Sequence, residues 1–365
     1  MKEIYFDNAS TALPLLSCSE GCFGNPSTTH ALGVKAYAAL NHAKSEIAQI
    51  LSCKKDEIIF TSGGTESNNL AIIGYGIANK KKNVKFFALP WAHPSVTQAM
   101  KHINDIGIGT HEKLDLQNFK NQAAKGINFI SITQICHETG DKNEVEKISD
   151  ALKKLNPKNI IHIDGVQGFC KERLSLKNID LYSFSGHKIH ATCGIGGLFI
   201  QKGVRLSPLL YGGEQENGLR AGTQNIQGAV GLAFAAKKLY ESMDSNLKKV
   251  AEVKAEMLKL VDELERVYVN SNGDSSPYIL NMSFVGVKGE VLVNMLSEKS
   301  IYFSTGAACR VSNKEALALE LMGYEKERAD SAIRFSFSHF NTINEASLAR
   351  KAVIECVSML RKIRR

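Results

Sequence analysis

Between residues 57 and 200 the chain alternates short apolar runs with stretches of helical period. Apolar runs beginning at 57, 84, 127, 160, 181 and 198 each end in glycine, proline or small polar residues, which marks short buried strands. Helices are expected from Thr28 or Thr29 (as cap) to about Leu51, from near Glu66, from Pro94, over 144–155, and to about Tyr240. Strands alternating with helices predict an α/β fold whose mostly parallel sheet is flanked by helices. Beyond residue 244 the pattern changes. Leu247, Val250, Val253, Met257, Leu260 and Leu264 repeat at helical spacing over 245–267. Strands then follow at 278–284, 301–303 and 333–337, with helices at 289–297 and about 344–363, which describes a smaller α+β C-terminal domain. The expected division is a large domain over 14–243 and a small one combining 1–13 with 244–365.

The 365 residues exceed one usual core, in keeping with two domains. Hydrophobic residues make up 44% and charged residues 22%, as in ordinary globular proteins. No apolar run approaches a membrane span and residues 1–7 lack a signal-peptide core, so a cytoplasmic protein is expected. The net charge of +8 is spread out except at Lys80-Lys81-Lys82 and residues 361–365, with no aromatic-interleaved basic stripe. That excludes a nucleic-acid surface and leaves these charges able to attract an acidic protein partner. The eight cysteines (18, 22, 53, 136, 170, 193, 309 and 356) form no CxxC pair, so no metal site is expected and one thiol is a candidate nucleophile.

Candidate chemistry lies where strands end. Lys188 follows the run 181–184 through Ser185-Gly186-His187, and a partly desolvated lysine there can act as a free amine, whereas a solvated one cannot. Phe60-Thr-Ser-Gly-Gly-Thr65 reads as a strand, a glycine turn and a helix start, the geometry that presents N–H groups to a phosphate or merely caps a helix. His93 precedes Pro94 at a strand-to-helix switch. Asp164 directly follows an apolar strand, where it pairs with a cation or caps the next turn.

In chain order these motifs are Phe23-Gly-Asn-Pro-Ser27, Phe60 to Asn69, His162-Ile-Asp-Gly-Val-Gln167 and Ser183 to Lys188. Gly212 to Thr223, Ser304 to Cys309 and Ala332-Ile-Arg-Phe-Ser336 complete them. From Asp7 to about Thr342 the sequence resembles the NifS/IscS-type cysteine desulfurases, class-V aminotransferase relatives of fold type I that use pyridoxal 5'-phosphate (PLP). The resemblance implies that Lys188 carries the cofactor as a Schiff base and moves the proton at the substrate α-carbon. It implies that Asp164 pairs with the pyridinium nitrogen, His93 stacks on the ring and Gln167 bonds the phenolic oxygen. Gly64, Thr65, Ser185 and His187 are implied to hold the phosphate, with Thr223 reaching it from the other subunit of a homodimer. Arg334 and Asn25 are implied at the substrate L-cysteine, and Cys309 as the nucleophile that leaves with its sulfur as a persulfide. The Ser/Gly/Ala-rich segment before Cys309 matches the long-loop subgroup, suited to delivery to a sulfur acceptor or scaffold protein for iron–sulfur clusters or thiolated tRNA.

The sequence also departs from that pattern. Cys136-His137-Glu138 stands where the family usually has Asn-Asn-Glu, which puts His137 at the position that contacts the phenolic oxygen. The connection between Asp7 and Phe23 is short, Phe337-Ser-His339 replaces Leu-Gly-Arg, and Glu214 replaces a glycine. These differences suit a paralogue. The competing readings are another class-V enzyme, such as an aminotransferase or selenocysteine lyase, and a non-catalytic scaffold.

Overall fold

The computed structural model describes residues 3–15, 23–305 and 318–363, which leaves Cys18, Cys22 and Cys309 outside the described residues. Two compact units emerge. One comprises Leu13–Gln134 and Asn143–Glu241; the other comprises Met1–Ala12, Ile135–Lys142 and Ser242–Arg365. Strand β1 (Ile4–Tyr5) opens the chain and belongs to the second.

In the first unit, α1 (Ala31–Leu51) leads to β2 (Ile58–Thr61) and α2 (Gly64–Asn69), which continues through a π-helical turn at Leu70–Gly74 into α3 (Tyr75–Asn79). Then come β3 (Lys85–Ala88), α4 (Pro94–Asp105), β4 (Thr110–Lys113), α5 (Phe119–Gln122), β5 (Asn128–Thr133), α6 (Val145–Leu155) and β6 (Ile160–Asp164). After these come β7 (Leu181–Ser185), β8 (Gly196–Ile200) and α7 (Ile226–Glu241). The seven strands run in the order β2-β8-β7-β6-β5-β3-β4. Every pair from β7 to β4 is parallel, and only β8 opposes its neighbours. All residues of β5, β7 and β8 are buried, as expected of strands covered on both faces. The aromatic rings of Tyr75, Phe86 and Phe129 cluster within the core in edge-on and tilted contacts, their centroids 5.2–6.4 Å apart.

Three sequence expectations need correction here. His30, not Thr28 or Thr29, caps α1, its side chain accepting from the Gly33 amide; Thr28 spends its hydroxyl on the Asn25 carbonyl instead. The helix after the Gly63-Gly64 turn begins at Gly64, two residues before Glu66. Strand β4 was not anticipated because it is a mostly exposed, polar edge strand (Thr-His-Glu-Lys), without the apolar signal of a central one.

The glycine pair before Leu198 is required by close approach. A Cβ on Gly196 would lie 2.6 Å from the Gly63 Cα, and one on Gly197 would lie 2.4 Å from the Phe184 ring. Strand β8 therefore lets the Gly63-Gly64 turn settle against the sheet.

The second unit carries α8 (Met243–Leu258), α9 (Leu260–Glu263), β9 (Val267–Val269), β10 (Ile279–Phe284), α10 (Gly289–Ser297) and β11 (Ile301–Tyr302). It ends with α11 (Ala318–Leu321), α12 (Lys326–Asp330), β12 (Ala332–Ser336) and α13 (Ile343–Ile363). Strand β10 is the centre of an antiparallel β12-β10-β9 sheet, and β1 pairs in parallel with β11. Leu280, Met282, Phe284, Ile333, Phe335 and Val353 are fully buried in its core. The single helix expected over 245–267 is divided. Leu264 is extended, Arg266 is left-handed at φ 53°, and Val267 is drawn into the sheet opposite Phe284.

Gly196→Ala is expected to destabilise the protein by about 1–3 kcal/mol, because the added methyl meets backbone rather than a flexible side chain. Denaturation midpoints of the variant and parent check this; equal midpoints would show that the turn moves away freely.

Candidate functional site

In the first unit, functional side chains gather at the carboxyl ends of β6 and β7, where open α/β sheets bind ligands. Asp164 ends β6 and is 5% exposed. Its Oδ1 accepts from the Val166 amide at 3.1 Å, so it does cap the following turn, while Oδ2 accepts from Asn68 Nδ2 at 3.2 Å. Asn68 also donates to Ser95 Oγ at 2.9 Å, and the Ser95 amide donates to His93 Nδ1 at 3.1 Å. His93 is thus the N-cap of α4, its ring fixed through Nδ1. Gly165 must be glycine, since a Cβ would lie 2.0 Å from the Tyr182 ring.

Lys188 ends the 3₁₀ turn Gly186–Lys188 that follows β7, half-buried. Ser185 Oγ, at the start of that turn, is buried and has no hydrogen-bond partner among the described residues. It lies 3.7 Å from the Cβ position of Gly63, whose φ is 155°. A Cβ on Gly64 would come 2.6 Å from Val166 Cγ2. The glycine turn, the Asp164 turn and the Lys188 turn therefore converge around an orphaned hydroxyl. Thr65 is exposed one residue further on.

Gln167 is buried, and its Oε1 accepts from Lys171 Nζ at 3.3 Å. Sequence reasoning passed over Lys171; the signal was a lysine four residues after Gln167, within an otherwise glycine-rich and apolar turn. Thr223 and Asn25 lie exposed on loops of the same unit, and neither hydrogen-bonds a member of this cluster. Asn25 Oδ1 instead accepts from the Ser27 amide.

Burial dominates the electrostatics. It pushes the Asp164 carboxyl up, against the opposing pull of His93, the Val166 and Asn68 hydrogen bonds, and Lys188. His187 is held down at about 4, first by burial and then by Lys188, Lys171 and His93, so it is neutral at physiological pH.

The second unit builds a guanidinium site. Arg334, on β12 and 5% exposed, donates from Nη1 to the His137 carbonyl at 2.9 Å. Its Nη2 donates to Ser10 Oγ at 2.6 Å, Ser304 Oγ at 2.8 Å and Asp7 Oδ1 at 3.2 Å. His137 Nε2 lies 3.6 Å from Glu138 Oε1. Burial raises the Glu138 carboxyl to about 7, with Arg334 pulling it down and Asp7 pushing it up.

Of the described cysteines, Cys136, Cys170 and Cys356 are buried, Cys53 is half-buried and Cys193 is exposed; all five are free. The described residues contain no group of three or more His, Cys, Asp or Glu placed to hold a metal ion. No described helix is long and apolar enough to cross a membrane.

The profile of the family described as Aminotransferase class-V matches residues 4–348. The chain belongs to this family. Among its relatives, the protein named Cysteine desulfurase IscS of Buchnera aphidicola subsp. Schizaphis graminum (strain Sg) is 33% identical over 358 residues, covering 94% of this chain and 88% of that one. A solved structure titled "NIFS-LIKE PROTEIN" superimposes with a TM-score of 0.92 at 29% identity, over 98% of this chain and 100% of that one. Another, titled "SspA in complex with cysteine", gives 0.79 at 26% identity, over 93% and 100%. Both structures share the fold found here.

A carboxyl whose folded-state pKa is raised favours the fold when protonated, so the Glu138 contribution is present below about 4.5 and is lost as pH rises through about 7. Glu138→Gln, neutral throughout, is expected to gain about 3 kcal/mol of stability relative to the parent between pH 4.5 and 7.5. Urea unfolding at both pH values checks this; a constant difference would mean that Glu138 titrates normally.

Proposed function

We propose that this chain is a PLP-dependent cysteine desulfurase, converting L-cysteine to L-alanine and keeping the sulfur as a persulfide on Cys309. The carrying observation is the strand-end cluster itself. A lysine, a buried aspartate and an unpartnered serine hydroxyl beside a glycine turn are the donor set that an anionic, aldehyde-bearing pyridinium needs. When bound, PLP supplies an electron sink for charge developing at the substrate α-carbon.

The chain's own residues do the rest. Lys188 offers the amine that holds the cofactor and afterwards carries the α-proton. Asp164 gains from a cationic partner because burial alone disfavours its charge, so it keeps the ring nitrogen protonated. Ser185 Oγ, the Gly64 and Thr65 backbone and the neutral His187 serve the phosphate. Thr223, exposed on its loop, is suited to reach the phosphate of a second copy in a homodimer. Exposed Leu32, Val34 and Tyr37 on α1, and Phe234 on the adjoining α7, are consistent with a partner on that unit. His93 stacks on the ring with its orientation set by the α4 cap. Gln167 serves the phenolic oxygen, and His137 takes the place of the family's usual asparagine there.

Arg334 takes the substrate carboxylate, a fork-to-fork pairing that guanidinium favours, with Asn25 assigned to the same substrate. The Cys309 thiolate attacks the substrate sulfur. The Cys309 Sγ–S bond forms as the substrate Cβ–S bond breaks; the bonding pair stays on the former cysteine carbon, which is protonated on the way to alanine. The name Cysteine desulfurase IscS of one relative and the cysteine complex of another support this substrate over an aminotransferase pair; supply of sulfur to iron–sulfur clusters or thiolated tRNA, in the cytoplasm, is part of the same proposal.

The PLP-loaded protein, given L-cysteine and a thiol reductant, is expected to release alanine and sulfide in equal amounts. Cys309→Ala should abolish both products while the cofactor absorbance remains, and undiminished turnover would sink the assignment. Arg334→Lys, which loses the bidentate fork, is expected to lower kcat/KM by about 10- to 100-fold, chiefly through KM.

A further inference from the structure

We infer that Lys171 is a positioning residue for the bound cofactor: its buried side-chain nitrogen fixes which edge of Gln167 is offered to the cofactor and adds positive charge to the pocket. The inference rests on the reading that Lys188 holds PLP. Lys171 lies in no strand or helix. After Asp164 the chain winds through two tight turns, Gly168 and Phe169 both donating to the Gly165 carbonyl and Lys171 to that of Gly168. Cys170 then stands at φ 57°, a left-handed conformation that few non-glycine residues adopt. The winding stops there, and Lys171 returns alongside Gln167, 7% exposed.

The identity of the contact atom follows from chemistry. An ammonium has three donors and no acceptor, so the Gln167 atom 3.3 Å away is the amide oxygen. With that oxygen engaged by Lys171, Nε2 is the edge that Gln167 has to offer a cofactor in our proposal, and it offers a donor. A donor edge suits an anionic oxygen, whereas a flipped amide would repel one. The charge itself is felt across the cluster, for Lys171 is among the groups that hold His187 neutral from the neighbouring turn. The ionisable groups sharing that space are His187 and Lys188 on the turn after β7, Asp164 on β6, His93 at the head of α4, and Tyr182, Cys170 and Glu172 around the turn that carries Lys171. Lys171 and Lys188 are the lysines there and Asp164 and Glu172 the carboxylates, so loss of Lys171 leaves the surroundings more anionic.

The test is a pH titration of the visible spectrum of the PLP-loaded protein, comparing the parent with Lys171→Met and Lys171→Arg, together with the rate at which each loses cofactor on dialysis. Removing a nearby positive charge eases protonation of the bound group. Lys171→Met is therefore expected to raise the spectral midpoint by about half a unit to one unit and to speed cofactor loss about tenfold. Lys171→Arg, which keeps both charge and donors, should stay near the parent. A parent-like midpoint and retention in Lys171→Met would overturn the inference. If Lys171→Met does not fold, Gln167→Glu decides: it keeps a partner for the ammonium but replaces the donor edge by a carboxylate, and it should raise the midpoint further, while an unchanged midpoint would refute the inference. A parent that shows no cofactor spectrum at all would instead defeat the underlying reading of Lys188.

Discussion

The first unit depends on seating one carboxylate at the end of a buried strand. Water is excluded there, so the charge of Asp164 must be met by groups the fold supplies. The Val166 amide meets one oxygen and the Asn68 side chain the other. Each of these has its own requirement. The Val166 amide is available only because the chain turns at Gly165, which the Tyr182 ring would otherwise block. Asn68 is available only because α2 starts tightly at Gly64, and it is shared with Ser95, which in turn engages His93. A single buried charge thus ties together the ends of β6, α2 and α4.

The middle of the same sheet is managed by neutrality. His162 lies two residues before Asp164, fully buried, its two ring nitrogens within 2.9 Å of the Ser131 and Ser183 hydroxyls. Burial brings its pKa down to about 3, so an imidazole spans β5 to β7 without carrying a charge. Inside the sheet the His162 imidazole is paired and neutral, while Asp164, Lys188 and His93 gather where β6, β7 and β3 give way to the following turns. That segregation places lysine, aspartate and histidine together without a dedicated binding domain.

Much of this was legible in the sequence because it is written in local contrasts. A lysine just past an apolar run, an aspartate ending one and a double glycine between strand and helix each admit a purely structural reading, and it is their succession along one chain that was informative; the order of strands and helices around them follows from period. What escaped depends on distant partners. Asn68 looked like any helical asparagine until its bonds to Asp164 and Ser95 were visible. His30 caps α1 through the Gly33 amide, while the Thr28 hydroxyl is committed to the Asn25 carbonyl. Strand β4 carries no apolar signal at the sheet edge. Leu264 kept the helical stripe although its backbone had become extended, since burial preserves a pattern that the backbone has abandoned.

The replacement of the usual Asn-Asn-Glu by Cys136-His137-Glu138 can be weighed in the same terms. Arg334 grips this segment through the main-chain carbonyl of His137, not through its side chain. Asn281 likewise donates to the Glu138 carbonyl, and the Cys136 amide and carbonyl are engaged by Asp141 and Gly140. The path of residues 135–142 is therefore held largely by main-chain contacts, while the Cys136 side chain is itself buried. Because Arg334 holds the main chain here, a different side chain at 137 changes the group that this loop offers without removing that hydrogen bond.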